Sequence, residues 1–216
     1  TDGLKSEFGR GIRPWLHDLY RSYPRLLAGR AYWSITPAAS RPVTPSTVPS
    51  GFDEDADYLG PLAKRLMGAV FAVPGDVARA ATMDAFRAQT ALALLAADDL
   101  ALVSVWNPTF FTGLLDWTTV HASDLLLHLP LRRRTAVGSA IKDGDWASVW
   151  PRLAVVSAWA DAQAASAASE LAAVLPQARL QPKGLLATEA IVSVPIERAA
   201  GAVLAARSHY VEFLPE

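Results

Sequence analysis

The chain has 216 residues, of which 51% are hydrophobic and 19% are charged, and its formal net charge is -1. This composition predicts a globular protein with a substantial buried core. The sequence lacks the excess of basic residues that is typical of proteins that bind nucleic acids or anionic membranes, so neither partner is expected. Because the sequence contains no cysteine, disulfides, thiolate catalysis and zinc–thiolate centres are excluded.

The sequence shows no membrane or targeting signal. No apolar run approaches the ~20 residues that span a bilayer. The first residues lack the charged, apolar and cleavage regions of a signal peptide. We therefore expect a cytoplasmic protein.

The first third of the chain alternates between helical and extended patterns. Apolar residues recur at helical spacing from Gly3 to Tyr23, which predicts a helix that contains Pro14. Residues 31–35 form a short aromatic and β-branched run, which predicts a strand. Residues 38–56 are rich in proline and include three consecutive carboxylates, and they predict a solvated loop. Residues 58–73 return to helical spacing.

A second helix is predicted over residues 82–97, with Thr82 as its N-cap. Residues 100–105 are almost uniformly apolar, which predicts a buried strand. Asn107 and Pro108 then begin another helix, since Asn favours the cap and Pro the first turn. Aromatic side chains cluster at this point of the chain: Trp106, Phe110 and Phe111. Core packing accounts for any one of them, whereas the set could wall a pocket for an aromatic or alkyl carboxylate.

Charged clusters and histidines give no separate catalytic signature. The basic cluster Arg132–Arg134 predicts a solvated helix face. The histidines show no metal-ligand spacing, and the sequence has neither a nucleophile elbow nor a P-loop. Hydrolase and P-loop functions therefore have no support.

A βαβ unit is predicted over the third quarter of the chain. A strand over residues 153–158, a helix over 161–174 and a strand over 179–187 follow in succession, which implies parallel pairing. The carboxyl ends of both strands then share one edge, where open α/β sheets bind ligands. We expect Asp161-Ala162 and Thr188-Glu189 to be neighbours there. The predicted fold is α/β, with a mixed, largely parallel sheet flanked by helices.

Four segments resemble, in the same order, motifs of one enzyme family. They are Leu100–Phe110 (LALVSVWNPTF), Trp159–Ala162 (WADA), Lys183–Ala190 (KGLLATEA) and His209–Pro215 (HYVEFLP). The chain thus resembles the auxin-responsive Gretchen Hagen family of acyl acid amido synthetases, and specifically its bacterial members. The resemblance implies part of a luciferase-like large domain of the adenylate-forming superfamily.

This resemblance implies a reaction in two steps. A carboxylic acid attacks ATP and becomes an acyl adenylate, and the amine of an amino acid then displaces AMP. The expected cofactors are therefore ATP and Mg²⁺, and the expected partners are a small carboxylic acid and an amino acid. In the family, a strand ending in Ser or Thr and then Glu holds the adenylate and its magnesium. By resemblance, Glu189 is the magnesium ligand and Thr188 supplies a hydroxyl.

The nucleotide positions follow from the same resemblance. Leu186 and Ala187 would offer backbone groups beside the α-phosphate and adenine. Asp161 and Ala162 would form the turn on the adenine side. Ala162 departs from the family pattern, which has glycine at this position, and its methyl group is expected to crowd the adenine face.

The family pattern also implies how much of the enzyme the chain represents. The phosphate loop would precede Thr1, and the ribose-binding aspartate and catalytic lysine would follow Glu216. We expect residues 1–216 to be the central part of the N-terminal adenylating domain, which alone makes no acyl adenylate. A second hypothesis is a noncatalytic module that binds a hydrophobic carboxylate or a protein on the same scaffold. The acyl acid, the amino acid and the oligomeric state do not follow from the sequence.

Overall fold

The computed structural model describes residues 2–34, 70–186, 190–210 and 212. Its central sheet has four parallel strands in the order β1 (Arg30–Trp33), β2 (Leu100–Ser104), β3 (Val155–Ala158) and β4 (Arg179–Pro182). β2 and β3 are buried along their whole length, as is typical of parallel strands covered by other elements on both faces. The predicted α/β class and the parallel crossover from β3 to β4 are confirmed.

The order of the parallel strands reverses beside β1. Phe71 forms a parallel bridge with Ala31 of β1, and the Ala72 amide donates to the Ala31 carbonyl at 2.8 Å. This segment follows β1 in the chain but lies on the side of β1 opposite to β2. Open α/β sheets bind ligands at the carboxyl ends of the strands where such a reversal occurs. The topology therefore places the expected ligand site at the ends of β1 and β2.

One face of the sheet packs against helix α1 (Asp2–Ser22) and a two-stranded antiparallel sheet formed by β5 (Ser193–Pro195) and β6 (Ala202–Leu204). Pro14 lies inside α1, as the sequence predicts. Apolar residues of this layer form one core cluster, which includes Trp15, Leu19, Trp33, Leu102, Val155 and Val194.

The other face packs against the remaining helices. They are α2 (Met83–Ala96), α3 (Pro108–Val120), α4 (Ala122–Leu127), α5 (Leu131–Asp143), α6 (Trp146–Val149) and α7 (Ala165–Val174). Both predicted N-caps are confirmed: the Thr82 hydroxyl accepts from the Ala85 amide at 3.1 Å, and Asn107 accepts from the Thr109 amide at 3.0 Å. The core of this face includes Tyr32, Phe86, Val103, Phe111, Ile141 and Leu171.

The strand predicted over residues 179–187 is wrong beyond Pro182, where β4 ends. Residues 185–186 pair in antiparallel fashion with residues 191–193 and do not continue along the parallel sheet. Gly184 permits this reversal, because a side chain at this position would overlap the backbone carbonyl of Ser193. A pairing with residues later in the chain therefore overrides the apolar pattern that favoured a longer strand.

The basic cluster is only partly the solvated helix face that its composition predicts, because Arg132 is exposed whereas Arg133 and Arg134 are partly buried. Arg133 donates from Nε to the Leu95 carbonyl at 2.7 Å and from Nη2 to the Val149 carbonyl at 2.8 Å. Arg134 donates from Nη2 to the Leu127 carbonyl at 2.7 Å. These carbonyls lie in the last turns of α2, α6 and α4, where no backbone amide of the same helix is in position to donate a hydrogen bond to them. Arg133 and Arg134 therefore cap helix ends.

Some expectations fall outside the described residues. These are Ile35, the loop over 38–56, residues 58–69 of the helix predicted over 58–73, and residues 187–189. The described end of that predicted helix is wrong beyond Val70, because Phe71 pairs with Ala31 of the sheet. Of the last predicted strand, only Tyr210 and Glu212 are described, and neither belongs to a strand. In the described part of the chain, no helix combines the length and hydrophobicity needed to cross a membrane.

Candidate functional site

A row of polar side chains crosses the sheet near its carboxyl edge. The strand register aligns Trp33 with Ser104, Ser104 with Ser157, and Ser157 with Gln181. Ser104, Ser157 and Gln181 are only 1%, 0% and 3% exposed. Among the described residues, Ser157 Oγ and Gln181 Nε2 have no hydrogen-bond partner. Buried polar atoms are costly when unpaired, so this row is a polar feature that packing alone does not explain.

Lys183 lies directly beyond this row, at the end of β4. Its residue exposure is only 5%. The ammonium donates to Ser104 Oγ at 2.8 Å. It also lies 4.5 Å from the ring centre of Trp15, 5.3 Å from that of Trp33 and 4.6 Å from that of Trp106. Aromatic faces attract cations, and the attraction strengthens where water is excluded. Lys183 is thus enclosed by a tryptophan cage formed by Trp15, Trp33 and Trp106.

Helix α1 contributes one wall of the tryptophan cage through Trp15. The Trp15 indole N–H donates to the side-chain oxygen of Gln181 at 2.9 Å. The ring also packs against Trp33, with 5.3 Å between the two ring centres. Gln181 belongs to the polar row and Trp33 to the end of β1. The contact of α1 with the sheet therefore fixes both the cage and the position of the lysine.

Two cavities meet at Lys183. The first, of about 50 Å³, is mainly apolar and is lined by residues that include Ile12, Trp106, Gly184, Leu186 and Ile191. The second is a polar cleft of about 300 Å³, lined by residues that include Asp161, Arg179, Gln181 and Glu197. Lys183 lines both cavities. The arrangement can therefore receive an apolar group on one side and polar groups on the other.

Glu197 organises the polar cleft. It forms an ion pair with Arg179 at 2.9 Å, and its amide donates to an oxygen of Asp18 at 2.8 Å. Burial and a hydrogen bond with Glu197 raise the pKa of Tyr23 to about 12. This wall of the cleft is therefore held by an ion pair to β4 and by a hydrogen bond from the Glu197 amide to α1.

The structure places two of the sequence-predicted nucleotide residues at different cavities. Asp161 lines the polar cleft and Leu186 lines the apolar cavity. Ala162 has a φ of 49°, in the left-handed region that favours glycine, which agrees with the glycine expected at this turn. Ala187, Thr188 and Glu189 lie outside the described residues. Their roles as nucleotide, hydroxyl and magnesium groups remain predictions.

The three aromatic residues predicted for the substrate pocket divide between the two faces of the sheet. Trp106 lines the apolar cavity and packs against Trp159, with ring centres 5.7 Å apart. Phe111 is fully buried on the opposite face, where its ring lies 6.0 Å from Tyr32 and 6.4 Å from Trp150. Phe110 packs against that same core. Only Trp106 is therefore adjacent to Lys183.

The polar row and the lysine were missed as site residues by the sequence analysis. Ser104, Ser157 and Gln181 each stand near the end of a short apolar strand, and Lys183 opens the motif over residues 183–190. The usable signal was a polar residue at the same place in successive strands. No cluster of three or more metal-ligating side chains occurs among the described residues.

Comparison with known proteins identifies a shared fold. No family model and no curated protein matches the sequence. The solved structure of GH3.15 acyl acid amido synthetase is similar over 94% of this chain, with a TM-score of 0.67 and 12% sequence identity. AtGH3.15 acyl acid amido synthetase in complex with 2,4-DB is similar over 87% of this chain, with a TM-score of 0.63 and 11% identity.

These similarities cover only part of the solved enzymes. The chain spans 41% of the length of the first and 38% of the second. At such low identity the match concerns the fold, in which a parallel sheet is flanked by helices. The chain therefore has the fold of a part of the acyl acid amido synthetases.

Proposed function

We propose that this chain is the central part of the adenylating domain of an ATP-dependent acyl acid amido synthetase. Such an enzyme adenylates a small carboxylic acid and conjugates it to an amino acid. The observation that carries the proposal is the meeting of an apolar cavity and a polar cleft at Lys183, at the carboxyl edge of the sheet. An acyl adenylate joins an apolar acyl group to a charged nucleotide, so its site needs an apolar and a polar environment side by side.

The two cavities would bind different parts of the reactants. The apolar cavity beside Trp106 is suited to the acyl group, because it offers aromatic and aliphatic walls. The polar cleft beside Asp161 is suited to the nucleotide. By the family resemblance, the backbone of Leu186 and Ala187 would contact that nucleotide, and Leu186 itself lines the adjoining apolar cavity. Holding the acid and the nucleotide together makes their reaction effectively unimolecular.

Magnesium would neutralise charge on the ATP phosphates when it is bound. Mg²⁺ is commonly held by one or two protein carboxylates together with substrate phosphates. One carboxylate, Glu189, therefore fits this requirement, and Thr188 adds a hydroxyl.

Calorimetric titration with ATP and Mg²⁺ tests the proposal directly. We expect the unaltered chain to bind the nucleotide and Glu189→Ala to bind it at least about tenfold more weakly, as the loss of a charged metal ligand implies. Glu170→Ala, on the exposed side of α7, is the matched control and should bind like the unaltered chain. Heat from neither protein would contradict nucleotide use and favour the noncatalytic binding module.

A further inference from the structure

We propose that this chain associates head to tail with further copies of itself, through two complementary surfaces on opposite faces of the sheet. One surface is a basic stripe on the outer side of α1. The other is an acidic groove between α2, α3 and α4. This inference goes beyond the proposed function and does not depend on nucleotide binding.

The basic stripe lies on the outer side of α1 and on the turn that follows this helix. Its exposed side chains are Arg10, Arg13, Arg21 and Arg25. The first three share one side of the helix, because separations of three and eleven residues return to the same side. Arg10 lies 3.9 Å from Glu7, whereas Arg13, Arg21 and Arg25 form no ion pair with any described residue. The stripe therefore presents three guanidinium groups that are free to pair with another molecule.

The stripe is better suited to binding than to stabilising α1. Within residues 7–28 every exposed charged side chain is basic. Like charges along one side of a helix repel each other and slightly destabilise it. Guanidinium groups form two parallel hydrogen bonds with carboxylates. A surface that carries carboxylates is therefore the partner that the stripe fits.

The acidic groove is a cleft of about 710 Å³ between α2, α3 and α4. Its apolar lining consists of Ala85, Ala88, Leu92, Trp117 and Leu125. The Trp117 ring stacks on His121, with 3.9 Å between the ring centres. The groove can therefore receive an apolar side chain of a partner.

Hydrogen-bond acceptors surround this apolar lining. Asp84 and Asp124 contribute carboxylates. Asp84 also pairs with Arg87 at 3.3 Å, whereas Asp124 forms no ion pair with a described residue. The Nδ1 of His121 donates to the Trp117 carbonyl at 2.8 Å, which leaves Nε2 of the neutral ring as an acceptor. Neither lysine nor arginine is among the described residues that line the groove, so the groove is complementary to guanidinium groups.

A second copy of the chain is the partner that carries the matching charges. The stripe and the groove lie on opposite faces of the sheet, so they cannot meet within one copy. The net charge of -1 disfavours a polyanion, because the chain as a whole is not attracted to one. Leu27 lies close to Arg25 in the chain and is 75% exposed, so it supplies an apolar side chain for the groove. Apolar contacts at the centre and charged pairs at the rim are the usual arrangement of a protein interface.

Sedimentation velocity over a range of protein concentrations measures this association. Because each copy presents both surfaces, contacts are head to tail and lead to dimers and longer chains. We expect the average mass to rise with protein concentration at about 50 mM salt. Raising the salt to about 500 mM should weaken association about tenfold or more, because salt screens the attraction between exposed charges.

Charge reversal tests each surface separately. Arg13→Glu combined with Arg21→Glu makes the stripe acidic, and Gln89→Lys combined with Asp124→Lys makes the groove basic. Each double variant should associate about tenfold or more weakly than the unaltered chain, because like charges then face each other.

An equimolar mixture of the two double variants tests whether these two surfaces meet. The acidic stripe of one variant then matches the basic groove of the other, and the unaltered surfaces of the two proteins also match. We expect the mixture to associate although neither variant does so alone. Neither nonspecific adhesion nor unfolding would produce this recovery.

Arg132→Glu combined with Arg152→Glu is the matched control for the stripe. It makes the same change in net charge at two exposed residues outside both surfaces, and it should associate like the unaltered chain. If Arg13→Glu with Arg21→Glu does not fold, Arg13→Gln with Arg21→Gln is the second variant and should also weaken association.

Three results would each overturn the inference: an unaltered chain that stays monomeric, association that folded variants do not weaken, or a mixture that does not associate. A monomer that binds RNA or anionic vesicles through the stripe would assign the stripe to a polyanion and would equally overturn it. None of these measurements uses ATP, so the proposed function can fail or succeed independently of this inference.

Discussion

Trp15 donates its indole N–H to the side-chain oxygen of Gln181 at 2.9 Å, and this bond fastens α1 to the last parallel strand. We expect Trp15→Phe to lower the free energy of unfolding by about 2 kcal/mol, because it removes a donor to a buried amide oxygen and part of a packed ring. Chemical denaturation measures this loss. Trp159→Phe is the control, since Trp159 is 39% exposed, and losses of equal size would contradict the expectation.

Arg133 should contribute to stability through the two helix ends that it joins. Arg133→Met would leave the carbonyls of Leu95 and Val149 without the donors that Arg133 supplies. We expect a loss of about 2–3 kcal/mol in the free energy of unfolding, because both bonds involve a charged donor in a partly buried place. The neighbouring Arg132→Met, at an exposed position, should change stability by less than about 0.5 kcal/mol.

Gly184→Ala tests the close approach that ends β4. The added methyl group would overlap the backbone carbonyl of Ser193, which cannot rotate away like the end of a side chain. We expect a loss of about 1–3 kcal/mol, seen as a lower midpoint of denaturation. Gly113→Ala in α3 meets nothing within 4 Å and should instead stabilise the helix by about 0.5–1 kcal/mol. If both substitutions changed the free energy of unfolding in the same direction, this explanation would be contradicted.

Ala162 is expected to carry backbone strain at the turn between β3 and α7. Its φ of 49° costs about 1–2 kcal/mol for a residue with a side chain, and glycine removes this cost while enlarging the entropy of the unfolded chain. Ala162→Gly should therefore raise the free energy of unfolding by about 0.5 kcal/mol. Ala164→Gly, at an ordinary φ of -84°, should lower it. A loss in both variants would show that the turn relaxes in solution.

Tyr32 should make stability depend on alkaline pH. Burial raises the pKa of its hydroxyl above the ordinary value of 10.0, so above pH 10 the folded state holds this proton more firmly than the unfolded state does. The free energy of unfolding therefore falls as the pH rises beyond 10. Tyr20 and Tyr23, whose pKa values are also raised, contribute to the same decline.

Tyr32→Phe should make that alkaline decline less steep, as measured by denaturation at pH 9 and pH 11. At neutral pH the variant should be as stable as the unaltered chain or more stable by about 1 kcal/mol. The reason is that the buried hydroxyl has no hydrogen-bond partner among the described residues. Tyr210→Phe, at a residue that is 91% exposed, is the control and should leave the slope unchanged.

Local sequence determines much of this fold. Thr82 and Asn107 mark helix starts because their side chains cap nearby amides, and both bonds occur in the structure. The parallel pairing of β3 and β4 follows from the strand–helix–strand order. These features depend on residues that are close in the chain, or on the order of strands and helices along it. Both can be read from a single sequence.

Other features depend on contacts between distant segments. β4 ends early because residues 185–186 pair with 191–193, and Arg133 is partly buried because it reaches two other helices. The alignment of Ser104, Ser157 and Gln181 requires the strand register, since a shift by one residue would turn each side chain to the other face. Periodicity alone supplies no register, so the sequence shows a polar residue near the end of each strand but does not show that the three side chains align.

The tryptophan cage around Lys183 joins residues that are far apart in the chain. Trp15 belongs to α1, Trp33 to β1 and Lys183 to the segment after β4, so the cage exists only when both ends of the sheet have been assembled. Partly folded forms that lack either end have no such site. A ligand held there would bind the native state alone and raise the melting temperature of the whole chain, by an amount that grows with the logarithm of the ligand concentration above its dissociation constant. Ligand binding at Lys183 would thus also report that folding is complete.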